Sequence, residues 1–144
     1  MKHIYFFLFS FLPYTILAKD PYPKNPNIDI LNYKFEIHLN DTSDIIYGSA
    51  DIALNIKDSE DRVRLDLISQ GKDGMGMEVK KVTFNDSEVS YSHDNDVLLI
   101  ETGALEYSSR DIINVVYSGM PITGLIIGPN MHGDRTFFSD NWPN

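Results

Sequence analysis

The chain contains no cysteine. Disulfides, thiolate metal centres and thiol catalysis are therefore excluded. Basic residues are the minority, with 12 Lys and Arg against 21 Asp and Glu. That balance argues against nucleic acid or anionic lipid as a partner. No stretch sustains a helical period of apolar residues. Several catalytic signatures are missing. There is no His-Glu-x-x-His zinc motif, no Gly-x-x-x-x-Gly-Lys-Ser/Thr phosphate loop and no Gly-x-Ser-x-Gly nucleophile elbow. Trp142 is the only tryptophan.

Residues 1–18 have the character of a signal peptide. Lys2 and His3 form a short basic start, Ile4 to Leu17 is apolar and aromatic, and Ala18 is a small residue suited to precede cleavage. The apolar run is short for a membrane span, which takes about 20 residues. An exported protein that leaves the membrane after cleavage is expected, in the periplasm, on the cell surface or outside the cell. Removing residues 1–18 takes away Lys2 alone among the charged residues. It leaves 11 basic residues against 21 acidic ones, a net charge of −10. Residues 19–27 are rich in proline and asparagine and read as an extended lead-in.

From residue 28 onward the pattern is that of β-strands. Tyr33, Phe35, Ile37 and Leu39 alternate with Lys34, Glu36, His38 and Asn40, which predicts a half-buried strand. Asn40–Asp44 reads as a turn. Gly48, Ala50, Ile52, Leu54 and Ile56 share one face of the next strand, and Val63, Leu65 and Leu67 form a third. The glycine-rich segment Gly71–Gly76 reads as a flexible loop with no helix behind it to hold a phosphate. Further strands are expected around Glu78–Asn85, Glu88–Ser92, Val97–Glu101 and Ile112–Ser118. Asn85-Asp86 and His93-Asp94-Asn95-Asp96 read as hairpin turns, because Asn and Asp tolerate left-handed backbone angles. The nearly continuous apolar run Ile112–Tyr117 predicts a central strand covered on both faces. Seven or so short strands joined by turn residues predict an all-β domain over residues 28–144. The expected architecture is an antiparallel β-sandwich or a saddle-like twisted double sheet.

Candidate chemistry is sparse. His38 sits on the polar face of a strand, His93 in a turn and His132 in a Gly-Pro-Asn-Met-His-Gly loop, with no metal-ligand spacing among them. Asn40-Asp41-Thr42 and Asn85-Asp86-Ser87 match the glycosylation pattern. The end of the sequence carries Phe137, Phe138 and Trp142 beside Asp140 and Asn141. It reads as an aromatic strand running into a turn, with further polypeptide expected beyond it.

From Ile30 to Asn144 the pattern resembles the N-terminal domain of the aminopeptidase N family of zinc metallopeptidases. The segments that carry the resemblance are Leu31-Asn32-Tyr33-Lys34-Phe35-Glu36-Ile37-His38-Leu39, then Gly48-x-Ala50-x-Ile52-x-Leu54, then Val63-Arg64-Leu65-Asp66-Leu67. They are followed by Val79-x-x-Val82-x-Phe84, Val116-Tyr117-Ser118-Gly119-Met120-Pro121, and Arg135-Thr136-Phe137-Phe138-Ser139-Asp140-Asn141-Trp142-Pro143-Asn144. The resemblance implies a saddle-like double sheet that packs on a catalytic metallopeptidase domain of the same parent chain and borders its peptide-substrate cleft. It implies zinc in the parent enzyme and no cofactor in this segment, which lacks the zinc motif and is expected to be inactive alone.

In that family the aromatic strand is followed by Thr-Gln-x-Glu or Thr-Gln-x-Gln, whose last residue helps bind the substrate's free amine. Here Ser139 falls at the Thr, Asp140 at the first Gln and Trp142 at the amine-binding position. Trp142 offers a cation–π face, worth about 0.5–2 kcal/mol, or Asp140 takes over the role. Two alternatives stand beside this reading. One is a self-contained secreted β-sandwich that binds protein or carbohydrate. The other is a surface domain held by a retained N-terminal anchor.

Overall fold

The computed structural model describes residues 25–57, 60–103 and 110–139. The signal segment 1–18 and most of the lead-in lie outside the described residues, as do Asp140 and Trp142. Within the described residues the fold is all-β, with ten strands and no helix. They are β1 (Ile28–Asn40), β2 (Ser43–Ile56), β3 (Arg62–Asp66), β4 (Gly76–Phe84), β5 (Ser87–Glu88), β6 (Tyr91–Asp94), β7 (Val97–Glu101), β8 (Asp111–Met120), β9 (Leu125–Pro129) and β10 (Arg135–Ser139). A five-stranded sheet runs β1-β2-β8-β4-β5, a three-stranded sheet runs β3-β7-β6, and β9 and β10 form a separate hairpin. All of the strand pairings are antiparallel.

The core lies between the two larger sheets. Ala50, Ile52, Leu54 and Ile56 of β2 meet Val63, Leu98 and Ile100 of the three-stranded sheet, with Val79, Val82, Phe84, Ile113 and Val115 completing the cluster. Leu54, Val82, Ile100 and Ile113 are wholly buried. Each such side chain contributes about 1.5–3 kcal/mol relative to an exposed one.

Two bulges keep the apolar residues on the core side. The register of β1 slips at Leu31, so Ile28 and Ile30 share a face with Tyr33, Phe35 and Ile37 although their numbers change parity. The register of β4 slips between Val79 and Lys81, which lets Val79, Val82 and Phe84 all point inward. An extra residue is the general means of reversing a strand's in–out pattern midway.

The two Asn-Asp pairs behave as turn chemistry requires. Asn85, Asp86, Asn95 and Asp96 all have positive φ, the geometry of two-residue hairpin turns that match strand twist. The first joins Phe84 to Ser87 and the second joins Asp94 to Val97.

Four expectations require correction. The stripe Tyr33, Phe35, Ile37 and Leu39 is 45–60% exposed rather than half-buried. The reason is length. β1 has 13 residues and β2 has 14, while the strands opposite have five or fewer. At about 3.3 Å per residue the smaller sheet spans less than half of β1. Second, β8 is the central strand, flanked by β2 and β4, but only one of its faces is covered, and Ile112 is 44% exposed. Third, Glu88–Ser92 is not one strand. The chain leaves the large sheet after Glu88 and enters the small one at Tyr91. Fourth, His93 and Asp94 belong to β6, and the turn is Asn95-Asp96 alone.

Candidate functional site

The hairpin β9–β10 leads to the predicted site. Chain leaving β8 turns through Pro121–Gly124, with Gly124 at φ 81°, and enters β9. Phe137 pairs with Ile127 and Phe138 with Ile126. Phe137 is half-buried, and the Arg135 guanidinium carbon lies 5.7 Å from its ring centre. Phe138 faces the other way and is 52% exposed. The two rings therefore face opposite sides, as the alternation predicts, and only Phe137 is covered.

The hairpin is held at its tip end. At its tip, Asn130 Oδ1 accepts from the backbone N–H of His132 (2.8 Å) and Asp134 (2.9 Å), and Asn130 N–H donates to the Asp134 carbonyl (2.7 Å). His132 is thus part of a closed loop. Next to this loop, Arg135, the first residue of β10 and opposite Pro129, pairs with Asp44 at the start of β2. Leu125 and Ile127 border a hollow of about 100 Å³ together with Asp44, Met75, Met120 and Pro121. Neither the Asp44–Arg135 pair nor the Asn130 loop was legible as a site in the sequence. The pair joins residues 91 positions apart, and no local pattern signals it. β10 ends at Ser139. The predicted site residues Asp140 and Trp142 lie outside the described residues.

The larger concavity is a groove of about 410 Å³ on the inner side of β1, bordered by Tyr33, Phe35, Ile52, Arg64, Leu65 and Tyr117 among others. Its lining is mainly apolar, and Arg64 is paired with Asp66 at 2.8 Å. Burial pushes the Tyr117 hydroxyl above its ordinary pKa. On the rim of the small sheet, a hydrogen bond from Arg62 Nε to Glu101 (3.0 Å), together with the charges of Glu101 and Asp61, raises the guanidinium further above its ordinary value.

Among the described residues no three of His, Asp and Glu converge on a possible metal site. His38 lies on the surface beside Glu36 (3.0 Å), and His93 Nε2 sits 2.8 Å from the Leu67 carbonyl. The Gly71–Gly76 segment is a tight turn in which Gly71 N–H donates to Met75 O (2.7 Å) and Met75 N–H to Asp73 Oδ1 (3.1 Å). The geometry positions surfaces for contact.

No family model and no curated protein sequence matches the chain. Solved structures do match its fold. An M1 zinc metallopeptidase from Deinococcus radiodurans, solved as a mutant bound to a Tyr-Ser-Ala substrate, superposes with a TM-score of 0.55 at 15% identity over 68% of this chain and 22% of that one. Native yeast LTA4 hydrolase superposes with a TM-score of 0.61 at 16% identity over 78% of this chain and 18% of that one. This chain therefore spans about a fifth of the length of those proteins. What it shares with them at such identities is the fold. That fold is common to M1 zinc metallopeptidases of differing names and does not single out aminopeptidase N.

Proposed function

We propose that this chain is the non-catalytic β-domain of an exported zinc metallopeptidase of the M1 class, which removes N-terminal residues from peptides. The domain packs on the catalytic domain of the same parent chain and borders its substrate cleft. The observation that carries this reading is the agreement of two signals. The ordered series of segments from Leu31 to Asn144 resembles the aminopeptidase N family, and the fold superposes on M1 zinc metallopeptidases. The β9–β10 hairpin supports the cleft-edge role. It is anchored to the sandwich through Asp44 and Arg135, and Asp140 and Trp142 follow directly after its last described residue.

The described residues do not fit a zinc site, and no step of peptide hydrolysis is assigned to them. In this reading zinc belongs to the catalytic domain. The contribution of this chain is packing and substrate positioning, with Trp142 or Asp140 facing the free amine of the peptide.

Purified by itself, the chain should contain no zinc and hydrolyse no aminoacyl-anilide. Robust activity would refute the proposal. In the parent enzyme, Trp142→Ala should raise KM roughly two- to thirty-fold, the equivalent of a lost cation–π contact, with the unfolding midpoint unchanged. Unchanged kinetics with a lowered midpoint would instead make Trp142 a packing residue. The mass of the exported product tests cleavage after Ala18.

A further inference from the structure

β1 is an edge strand of unusual character. It lies at one end of the large sheet, and among the described residues no strand pairs with its outer side. Its backbone is regular from Asn32 to His38, where it pairs with β2 without a slip, and it contains no proline. Leu31, Tyr33, Phe35, Ile37 and Leu39 are all substantially exposed, and the rings of Tyr33 and Phe35 stack in parallel at 5.7 Å. Natural edges are usually blunted by shortness, bulges, proline or charge. The opposite edge of this sheet follows that rule, with a two-residue β5 and a register slip beside Lys80 and Lys81, whereas β1 slips only at Leu31 and Leu39, on either side of its regular segment.

We propose that this edge is a self-association surface. Two copies of the chain join antiparallel through β1, with Phe35 on the two-fold axis, so that two five-stranded sheets become one continuous sheet. The register follows from the charges. With Phe35 opposite Phe35 of the second copy, Lys34 stands opposite Glu36, Tyr33 opposite Ile37, and Asn32 opposite His38, all within the regular segment. Opposite charges and aromatic–aliphatic pairs directly across from each other stabilise antiparallel strands, whereas like charges destabilise them. Moving the axis one residue either way sets Lys34 against Lys34 or Glu36 against Glu36. An axis between residues sets apolar against polar side chains and misaligns the backbone donors.

The polar face of the sheet agrees with this register. Asn114 donates to Asp51 (2.6 Å), and Asp51 pairs with Lys34 at 3.5 Å. Glu36 of the second copy extends that row outward from Lys34 with the correct alternation of sign. On the other face, the exposed stripe of one copy continues into the stripe of the other, and the grooves bordered by Tyr33 and Phe35 adjoin. A two-fold axis normal to the sheet produces this isologous contact, in which each patch meets itself.

The cysteine-free chain permits a direct test. Directly opposed residues in an antiparallel pair have Cα atoms about 4.5–5.5 Å apart, within reach of a disulfide. Phe35→Cys in the full chain should therefore crosslink on mild oxidation. Ile37→Cys should not, because the two copies of residue 37 would lie about 14 Å apart along the strand. Sedimentation over a concentration series gives the second readout. Lys34→Glu or Glu36→Lys should each weaken dimerisation about tenfold, and the double swap should restore it. A wild-type monomer throughout the series would overturn the proposal. So would a double swap no tighter than the singles, or Ile37→Cys crosslinking as readily as Phe35→Cys. If a charge variant fails to fold by circular dichroism, the cysteine pair decides.

Discussion

The ring of Tyr117 lies over Gly48. The two residues face each other on β8 and β2, and a Cβ at residue 48 would meet the ring Cζ at 2.3 Å. Glycine at this position lets an aromatic side chain cover the backbone where the small sheet no longer reaches. Tyr117 thus closes the inner face of the large sheet beyond the edge of the core, and the groove begins beside it.

Gly48→Ala should displace that ring and destabilise the fold by about 1–3 kcal/mol, the range for overpacking. Because the obstacle is a side chain, Tyr117→Ala in the same molecule should relieve part of the loss, making the double variant more stable than the sum of the singles implies. Gly76→Ala should be worse, costing more than about 3 kcal/mol. At φ 97° its Cβ would meet the Ser69 carbonyl oxygen at 2.2 Å, and that obstacle is backbone. Urea unfolding of the four variants measures both the order and the non-additivity.

Burial of the Tyr117 hydroxyl makes stability sensitive to alkaline pH. The phenol is raised above its ordinary 10.0 because desolvation penalises the phenolate. A folded-state pKa above the unfolded one means that the native state holds its proton more tightly. The contribution is therefore complete below pH 10 and declines as pH rises through the folded value. Tyr117→Phe should remove this part of the alkaline decline while leaving the neutral-pH profile parallel to wild type. The tyrosinate absorbance difference between the two proteins should titrate later than free tyrosine. A difference that titrates at the free-tyrosine value would show that the ring is solvated.

The strands and their faces were largely legible in the sequence. Alternation located β2 and the facing of Gly48, Ala50, Ile52, Leu54 and Ile56, and the Asn-Asp pairs located two turns. Alternation also identified the apolar face of β1. It did not show that this face is uncovered, because cover depends on the length of β3, β6 and β7, which is a non-local property. The Glu88–Ser92 run concealed a switch between sheets, since the alternation of Val89 and Tyr91 with polar residues runs on unbroken whichever sheet receives it. β9 was missed because its alternation is short and bounded by glycine and proline. At the site, local pattern located the aromatic strand but not which of its rings is covered, while the Asp44–Arg135 anchor joins two distant positions that resemble any other surface charges.

Asn85 combines three tasks at the start of β8. Its φ of 46° forms the turn after β4. Its Oδ1 accepts from the Ile112 N–H (2.9 Å), and its Nδ2 donates to Asp111 Oδ1 (2.8 Å). Asp111 is only 2% exposed, so Asn85 is the neighbour that satisfies this carboxylate oxygen. Asn85→Ala should lose the favourable turn conformation and both hydrogen bonds, at a cost of about 2–4 kcal/mol. Asn85→Gly keeps the backbone angle and loses only the side-chain bonds, so it should fall between wild type and Asn85→Ala. Asp111→Asn on the wild-type background keeps an acceptor for Nδ2 and should cost less than Asn85→Ala. Denaturant midpoints rank the three. Equal losses for Asn85→Gly and Asn85→Ala would show that the side-chain bonds, and not the turn, carry the effect. Equal stability of Asn85→Gly and wild type would show that Asp111 has no need of this donor.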